Sequence, residues 1–435
     1  MDIFPFLLGV LIFLIGLSLS IGLHELGHLI PAKIFKVRVA QYMIGFGPTL
    51  LRKKWGETEY GIKALPLGGY ISMAGMFPPG KSRAKSGSRS FFGKLVQDAR
   101  DASAESAENV APDRLFYRLP VWKRIIIMFG GPFMNLVLAF VLFAIIVVGF
   151  GMPQATNTLS SVSTCIEASE TCSATTPDAP GALAGLKPGD TIVAINGAPV
   201  SAWDQVSTAI VPAAGNTLGF TVERSGETLT IPVTPVEVSR PVFGDDGAVV
   251  TGPDGDAVTQ RVGFVGISPV TDMVAQPVTA AFPLVGQTVT GTANMILNLP
   301  QRLVEVGEAA FGPEERQLDG PISVVGVGRV AGDIAGSNQV TTDGKVVSLL
   351  GILASLNVAL FVFNLIPLLP LDGGHIAGAL WELIRRGWAR LRKRPDPGPV
   401  DIARFMPITL VVVVIMIGMS ALLIYADIVK PVIIF

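Results

Sequence analysis

Residues 24–28 of the chain read His-Glu-Leu-Gly-His, a pattern that can bind a metal ion. Side chains four residues apart share one face of a helix, so both imidazoles can meet a single Zn²⁺, while Glu25 on an adjacent face can act as a base on water. The chain has only three histidines. Such a pattern arises by chance in about one chain of this kind in a thousand. The plainer alternative is that the two histidines are hydrogen-bonded core residues. It requires three polar groups to be buried at the end of an apolar segment, which costs free energy.

Two imidazoles leave a catalytic zinc site one ligand short, because such sites generally take three protein ligands and a water molecule. Candidates for the third lie in residues 364–375, which read Asn-Leu-Ile-Pro-Leu-Leu-Pro-Leu-Asp-Gly-Gly-His. Asp372 is one, and His375 competes with it, since imidazole is also a good zinc ligand. The residue types alone leave this choice open. Pro367 and Pro370 each remove a backbone donor, which predicts irregular backbone beside Asp372.

The composition places these groups in a membrane protein. Half of the 435 residues are hydrophobic, 15% are charged and the mean hydropathy is +0.54, values that exclude both a wholly soluble chain and a disordered one. The formal net charge is −1, so the chain lacks the basic excess that neutralises nucleic-acid phosphates. Nucleic acid is therefore not expected as a partner.

Four segments are long and apolar enough to cross a bilayer as helices, which rise about 1.5 Å per residue. They are residues 4–23, 125–151, 346–371 and 405–425. The first lacks the basic start of a signal peptide and runs directly into the paired histidines, so we expect it to be retained. Residues 278–303 are interrupted by proline and glycine, and we interpret them as an interfacial amphipathic helix and not as a span.

Charge predicts the orientation of these spans, since Lys and Arg accumulate in cytoplasmic loops. Residues 31–124 carry 17 basic and 7 acidic side chains, residues 152–345 carry 8 and 20, and residues 372–404 carry 7 and 4. The first and third loops are therefore predicted to be cytoplasmic. The long middle loop and both termini are predicted to lie outside.

The predicted outer loop has two further features. Residues 181–200 combine a Gly-Asp turn, a short apolar strand and an Asn-Gly hairpin turn, and this stretch resembles a PDZ domain, which captures extended peptides by strand addition. A plain β-domain without a ligand is the alternative. Cys165 and Cys172 are expected to form a disulfide in an oxidising compartment, and two free thiols remain the alternative because the spacing does not guarantee a bridging geometry.

The sequence HELGH at the end of the first span, together with NLIPLLPLDGG in the third, resembles the site-2 protease family of intramembrane zinc metalloproteases. The bacterial regulator of sigma-E protease is the nearest type. Further similar stretches are Gly-Phe-Gly at 45–47, LPLGGY at 65–70, RIIIMFGGPFMNL at 124–136 and Gly-Pro-Ile-Ser at 320–323. The likeness covers nearly the whole chain except residues 82–112 and part of the outer loop. One departure is the single PDZ-like stretch, where that type carries two PDZ domains in tandem.

The resemblance implies a zinc-dependent intramembrane endopeptidase with His24, His28 and Asp372 as the zinc ligands. Glu25 would be the general base and proton shuttle, Asn364 would hydrogen-bond the substrate near the metal, and His375 would have a supporting role. The enzyme would cut the transmembrane segments of single-pass proteins, such as anti-sigma factors, within the lipid bilayer. It would span the bacterial plasma membrane several times, with a PDZ domain outside the cytoplasm that binds a peptide or protein.

The expected fold class is an α-helical polytopic membrane protein with four transmembrane helices, a membrane-associated β-hairpin and an extracytoplasmic PDZ domain of the α+β class. The expected parts, in chain order, are the first transmembrane helix with HELGH (1–30), the hairpin region (31–81), a flexible cytoplasmic insert (82–120), the second transmembrane helix (121–151), the PDZ domain (152–270), an interfacial helix and linker (271–345), the third transmembrane helix with the Leu-Asp-Gly sequence (346–384), a basic linker (385–404) and the fourth transmembrane helix (405–435).

Two other functions stay open at this point. One is a zinc-stabilised membrane scaffold whose PDZ domain collects partners without cutting them. A structural zinc site, however, has no need of a carboxylate such as Glu25 between its ligands. The other is a protease that acts on soluble segments at the membrane surface, which is disfavoured because the second motif, NLIPLLPLDGG, lies inside a predicted span.

Overall fold

The computed structural model describes residues 3–78, 91–166, 177–242, 249, 252, 257–313, 316 and 320–432. The chain divides into two compact units. The first, which we call the helical unit, comprises Met1–Gly149 and Pro277–Phe435, and the second, the β unit, comprises Phe150–Gln276. Each is described by itself below.

The prediction of four apolar spans is confirmed by four long helices among the described residues. They are α1 (Ile3–Ile34), the stretch Val121–Phe150 that contains α3 (Val121–Ile145) and ends in a π-helical turn, α9 (Thr342–Asn364), and the stretch Ile402–Val429 that contains α11 (Met406–Val429). Large apolar side chains such as Ile15 and Ile415 are exposed on their outer surfaces. Helices that are apolar all round are stable in lipid, where every backbone group is hydrogen-bonded within the helix. The chain is a multi-pass membrane protein.

The helical unit contains five further helices among the described residues. They are α2 (Phe91–Ser106), α6 (Ala281–Leu297), α7 (Leu299–Phe311), α8 (Val324–Gly336) and α10 (Asp372–Leu391). Where the sequence predicted one interfacial helix over 278–303, the structure has two, because a break at Asn298 and Pro300 separates α6 from α7. Helix α8 begins at the N-cap Ser323, whose hydroxyl accepts a hydrogen bond from Gly326 N. It lies in the region predicted to be a linker.

Helix α2 differs from the flexible insert predicted over 82–120. The hydroxyl of Ser103 bonds both the backbone N and O of Phe77, at 2.9 and 3.0 Å, and Arg100 forms an ion pair with Asp401. The helix is therefore held by polar contacts to distant backbone and side chains. A search for apolar periodicity misses a helix of this kind. The part of the predicted insert over 79–90 lies outside the described residues.

The predicted hairpin is confirmed as two long antiparallel strands, β1 (Val39–Trp55) and β2 (Thr58–Met73). Each strand folds back on itself, so Tyr42 pairs with Ile71 on one side and with Tyr60 on the other. The result is a small sheet in which residues 69–73 form one edge. The hydroxyl of Tyr42 donates to the carbonyl of Gly22 at 2.6 Å and so fixes the sheet to α1.

The β unit is built on an antiparallel sheet with the strand order β10-β3-β4-β6-β7, in which β5 also pairs with β4. Its strands are β3 (Met152–Val162), β4 (Thr191–Ile195), β5 (Ala198–Pro199), β6 (Leu218–Arg224), β7 (Glu227–Val233) and β10 (Ile267–Val274). A separate ladder joins β8 (Val236–Pro241) to β9 (Thr259–Phe264), and two short helices, α4 (Pro180–Leu183) and α5 (Trp203–Ile210), complete the unit.

The apolar stretch of the β unit forms its core. Ile192 on β4 and Phe220 on β6 are fully buried with Val206 of α5, in agreement with the strand predicted over 191–195. Cys165 is buried. Its predicted disulfide partner, Cys172, lies outside the described residues.

Candidate active site

Helix α1 packs against α3 at unusually short distance because glycines face each other. A Cβ atom at Gly27 would lie 2.2 Å from the carbonyl oxygen of Gly130, and one at Gly130 would lie 2.1 Å from the carbonyl oxygen of Gly27. Only two glycines allow this backbone contact, since any side chain would separate the helices. The contact lies between His24 and His28 in the sequence, so it sets both imidazoles directly on α3.

Asp372 is brought to the same place by a break in the third span. Helix α9 ends at Asn364 and α10 begins at Asp372, with non-helical backbone over residues 365–371. The irregularity predicted from Pro367 and Pro370 is therefore present. The break turns the chain so that the carboxylate of Asp372, in the first turn of α10, faces α1.

His24, His28 and Asp372 form a cluster whose ligand atoms all lie within 4.8 Å of one another. Oδ2 of Asp372 is 3.3 Å from Nε2 of His24 and 3.3 Å from Nε2 of His28, and the two Nε2 atoms are 3.2 Å apart. The side chains of His28 and Asp372 are only 4% and 16% exposed. This oxygen is buried without a hydrogen-bond partner among the described residues, a state that costs free energy unless a cation is bound. Two neutral imidazoles and a carboxylate are a suitable donor set for Zn²⁺.

The imidazole of His28 is oriented by the backbone of α3. Its Nδ1 lies 2.7 Å from the carbonyl oxygen of Ile127, so Nδ1–H donates there and leaves the lone pair of Nε2 directed at the cluster. This is the arrangement usual for histidine ligands of metals.

Asn135 of α3 lies next to His24, and sequence reasoning did not single it out. Its Nδ2 is 3.1 Å from Nδ1 of His24, and the residue is completely buried. The only sequence signal would have been an amide within an otherwise apolar predicted span.

Glu25 is 8% exposed and sits beside the cluster on the next face of α1. Residues of β2 close over it, since a Cβ atom at Gly69 would be 2.9 Å from Cγ of Glu25. The edge of the small sheet, residues 69–73, therefore begins at the carboxylate predicted to act as a base.

Asn364 and His375 are not brought into the cluster. The amide of Asn364 donates to the carbonyl oxygen of Leu360, one turn earlier in its own helix, at 2.9 Å. His375 stacks on Phe77 with ring centroids 6.2 Å apart, and its Nδ1 is buried without a partner among the described residues. Of the two candidates for a third ligand, Asp372 is the one whose carboxylate lies in the cluster.

Comparisons with known proteins identify the family of the chain. Residues 12–395 match the family model described as peptidase family M50. The chain belongs to peptidase family M50. It is 33% identical over 445 residues to the zinc metalloprotease Rip1 of Mycobacterium tuberculosis, covering 99% of each chain. It is 32% identical to Rip1 of Mycolicibacterium smegmatis, covering 98% of this chain and 99% of the relative. It is 27% identical to the metalloprotease MmpA of Caulobacter vibrioides, covering 87% and 89%. The match to the family spans His24, His28 and Asp372, so this M50 peptidase carries the complete cluster within its family region.

Proposed function

We propose that this M50 peptidase is an intramembrane endopeptidase that uses Zn²⁺ to cut the transmembrane segments of single-pass membrane proteins. The observation that carries the proposal is that His24 and His28 of the apolar helix α1 and Asp372 at the start of α10 converge on one buried point. A buried cluster of this kind has no structural purpose in an apolar bundle, where burying polar groups is unfavourable.

In this proposal His24, His28 and Asp372 hold the zinc ion. Bound zinc supplies a Lewis acid that polarises a carbonyl group and increases the acidity of water. Oδ2 of Asp372, which has no hydrogen-bond partner among the described residues, and Nε2 of His28, which faces the cluster, supply lone pairs for the zinc ion. The surrounding apolar helices exclude bulk water and strengthen these interactions.

Glu25 moves the proton in the reaction. Its carboxylate accepts a proton from the attacking water molecule and passes it to the nitrogen of the departing amine, so that one group serves both halves of peptide hydrolysis. Its position next to the cluster and under Gly69 supports this role, because the side chain is confined on the face of α1 adjacent to His24 and His28. Asn364 is proposed to turn from Leu360 to the substrate when one is bound.

A helical substrate has to unwind before its carbonyl groups can react, because each is hydrogen-bonded within the helix. We infer that the unwound segment pairs with residues 69–73. Within the described part of the chain, these residues have ladder partners on one side, over 39–44. Strand addition there replaces the backbone hydrogen bonds that the substrate loses and lays the extended segment beside Glu25.

The β unit is proposed to be a PDZ domain on the outer side of the bacterial plasma membrane. Its antiparallel sheet, its two short helices and the excess of acidic residues over 152–345 support this. There it would bind a peptide or protein outside the cytoplasm. The membrane-tethered regulators released by such a protease, anti-sigma factors among them, are the proposed substrates.

The proposal is tested with Glu25→Gln and a single-pass substrate in detergent, with zinc measured on the same samples. We expect zinc content equal to that of the unchanged protein and no cleavage, since the amide cannot accept a proton. Glu108→Gln, which changes an exposed carboxylate, is the matched control and should cleave normally. Undiminished cleavage by Glu25→Gln would contradict the assignment of the base.

Strand addition is tested separately by cross-linking. Ser72→Cys, in a background with both native cysteines replaced by serine and with Glu25→Gln, is combined with substrates that carry one cysteine at successive positions. Pairing as a strand predicts cross-links at every second substrate position, whereas a substrate bound as a helix gives a spacing of three to four. The second pattern would contradict the inference.

A further inference from the structure

Asn135 is a fully buried amide in the middle of an apolar helix, with 0% of its surface exposed. Its Nδ2 lies 3.1 Å from Nδ1 of His24, and its Oδ1 has no hydrogen-bond partner in the part of the chain that the structure describes. A leucine has the same branched shape without burying two polar atoms, so packing alone does not account for an amide here.

The position of the hydrogen on the neutral imidazole of His24 decides whether Asn135 must donate or accept a hydrogen bond. Nε2 of His24 faces Oδ2 of Asp372 at 3.3 Å and Nε2 of His28 at 3.2 Å. To bind a cation, Nε2 must present a lone pair, and the single hydrogen of the neutral ring then sits on Nδ1. Nδ1–H requires an acceptor, and the side chain opposite it is that of Asn135.

The two ends of an asparagine amide have nearly the same shape, so a half-turn about its last bond exchanges oxygen for nitrogen without displacing any neighbour. When Nδ2 faces the ring, it donates to Nδ1 of His24, and the ring hydrogen is then on Nε2. In that form Nε2 has no lone pair to offer a cation. With Oδ1 toward the ring, Asn135 accepts from Nδ1–H and frees Nε2. In the second orientation Oδ1, which has no hydrogen-bond partner among the described residues, gains the donor Nδ1–H of His24.

We propose that Asn135 is a positioning residue that accepts a hydrogen bond from Nδ1–H of His24 and thereby holds Nε2 toward the metal ion. The inference rests on the proposed metal site. It gives α3 a double role, because the same helix supplies the carbonyl oxygen of Ile127 to Nδ1 of His28 at 2.7 Å. One element then orients both imidazoles.

The test compares Asn135→Leu, which removes the acceptor, with Asn135→Asp, which keeps one. Zinc affinity is measured on the full-length protein in detergent by competition with a chelator, and the visible absorption of the Co²⁺-substituted protein reports the ligand geometry. Loss of an outer hydrogen bond to a metal ligand weakens metal binding by about 10- to 100-fold. We expect that loss and an altered Co²⁺ spectrum for Asn135→Leu, and near-normal affinity for Asn135→Asp.

Asn357→Leu is the matched control. Asn357 is also fully buried in a membrane helix, where it donates to Ser20 Oγ at 2.9 Å. Its replacement should leave zinc affinity and the Co²⁺ spectrum unchanged. A change in this control would show that losing any buried amide affects the metal site. Zinc affinity within twofold of normal for Asn135→Leu, or an equal loss for Asn135→Asp, would overturn the proposal.

These readouts do not depend on proteolysis. If Asn135→Leu fails to fold, the comparison of Asn135→Asp with the unchanged protein still decides, because an acceptor at this position must preserve the metal site. A failure of the proposed function would appear as cleavage that survives Glu25→Gln. A failure of the present inference would appear as zinc binding that is indifferent to residue 135.

Discussion

Gly131 lies against the imidazole of His28, so that a Cβ atom at residue 131 would stand 2.2 Å from Nε2. The same atom would be 2.8 Å from Cε1 of His24. The space for both imidazoles therefore exists only because residue 131 has no side chain.

The first prediction is that Gly131→Ala weakens zinc binding. Alanine stabilises a helix by about 1 kcal/mol relative to glycine, so α3 itself should not be harmed. The methyl group has to displace the two imidazoles, and we expect zinc affinity to fall by about 10-fold or more, as for other disturbances of metal ligands. Zinc retained after dialysis against a chelator measures the effect.

Gly418→Ala is the control for this experiment, because no atom of the described residues lies within 4 Å of a Cβ placed at Gly418 in α11. It makes the same change in another membrane helix and should retain zinc fully. Normal zinc retention by Gly131→Ala would mean that the imidazoles can move without leaving the metal, and the rigid packing inferred above would be wrong.

The second prediction concerns the third ligand. Asp372→Asn keeps the shape of the side chain but removes the charge and halves the number of acceptor atoms, so zinc content should fall to a small fraction of normal. His375→Gln should retain its zinc, because His375 stacks on Phe77 and lies outside the cluster. Metal analysis of the two purified variants distinguishes them, and the reverse result would make His375 the ligand.

The cluster of His24, His28 and Asp372 could be predicted from the sequence because its signals are chemical and local. The helical repeat places His24 and His28 on one face whatever the rest of the chain does. The four spans followed from apolar length alone, and the prolines of residues 364–375 marked the break before Asp372. None of these inferences requires knowledge of which helices touch.

The parts that sequence reasoning missed all depend on contacts between distant residues. The contact between Gly27 and Gly130 cannot be predicted from either segment alone, and neither can the contact between Asn135 and His24. Helix α2 is held by Ser103 on the backbone of Phe77, a polar contact that leaves no periodic trace. The sequence also offered both Asp372 and His375 as ligands. Both lie in α10, and only their contacts distinguish them, since Asp372 faces the histidines of α1 and His375 stacks on Phe77.

The third prediction concerns a buried ion pair that joins α3 to α10. Nη2 of Arg124 is 2.6 Å from Oε1 of Glu382, and Oε2 of the same carboxylate accepts from Val400 N at 3.1 Å. Both side chains are almost fully buried. Glu382→Leu leaves the guanidinium of Arg124 buried without its main partner, which should destabilise the protein by about 3–5 kcal/mol.

Thermal or denaturant unfolding of the full chain in detergent measures this loss. The double variant Arg124→Met with Glu382→Leu should recover much of the stability, since it removes the buried charge of Arg124 together with that of Glu382. Arg386, which also pairs with Glu382 at 3.0 Å, is partly exposed and keeps its pair with Asp396 at 3.3 Å. Glu237→Gln is the control, because its pair with Arg261 is exposed and contributes about 0–1 kcal/mol. A double variant as unstable as Glu382→Leu alone would contradict the explanation.

The last prediction concerns the pH dependence of the β unit. The guanidinium of Arg224 donates to both carboxylate oxygens of Asp190, at 2.6 and 2.7 Å, and Lys187 N donates at 2.8 Å. These bonds hold the pKa of Asp190 below its usual value. A pKa that is lower in the folded than in the unfolded state stabilises the fold fully above the unfolded value, which is about 4, and this stabilisation is lost as the pH falls through the folded value.

Hydrogen exchange of the strands over 191–195 and 218–224, corrected for the intrinsic effect of pH, should therefore show protection that declines below about pH 4. Asp190→Asn abolishes the charge, so its protection should not follow that decline. At neutral pH the variant should already be less protected, by about 1–3 kcal/mol, because hydrogen bonds to a charged group are lost. If both proteins lose protection in parallel as the pH falls, another acidic group controls the stability of these strands and the assignment to Asp190 is wrong.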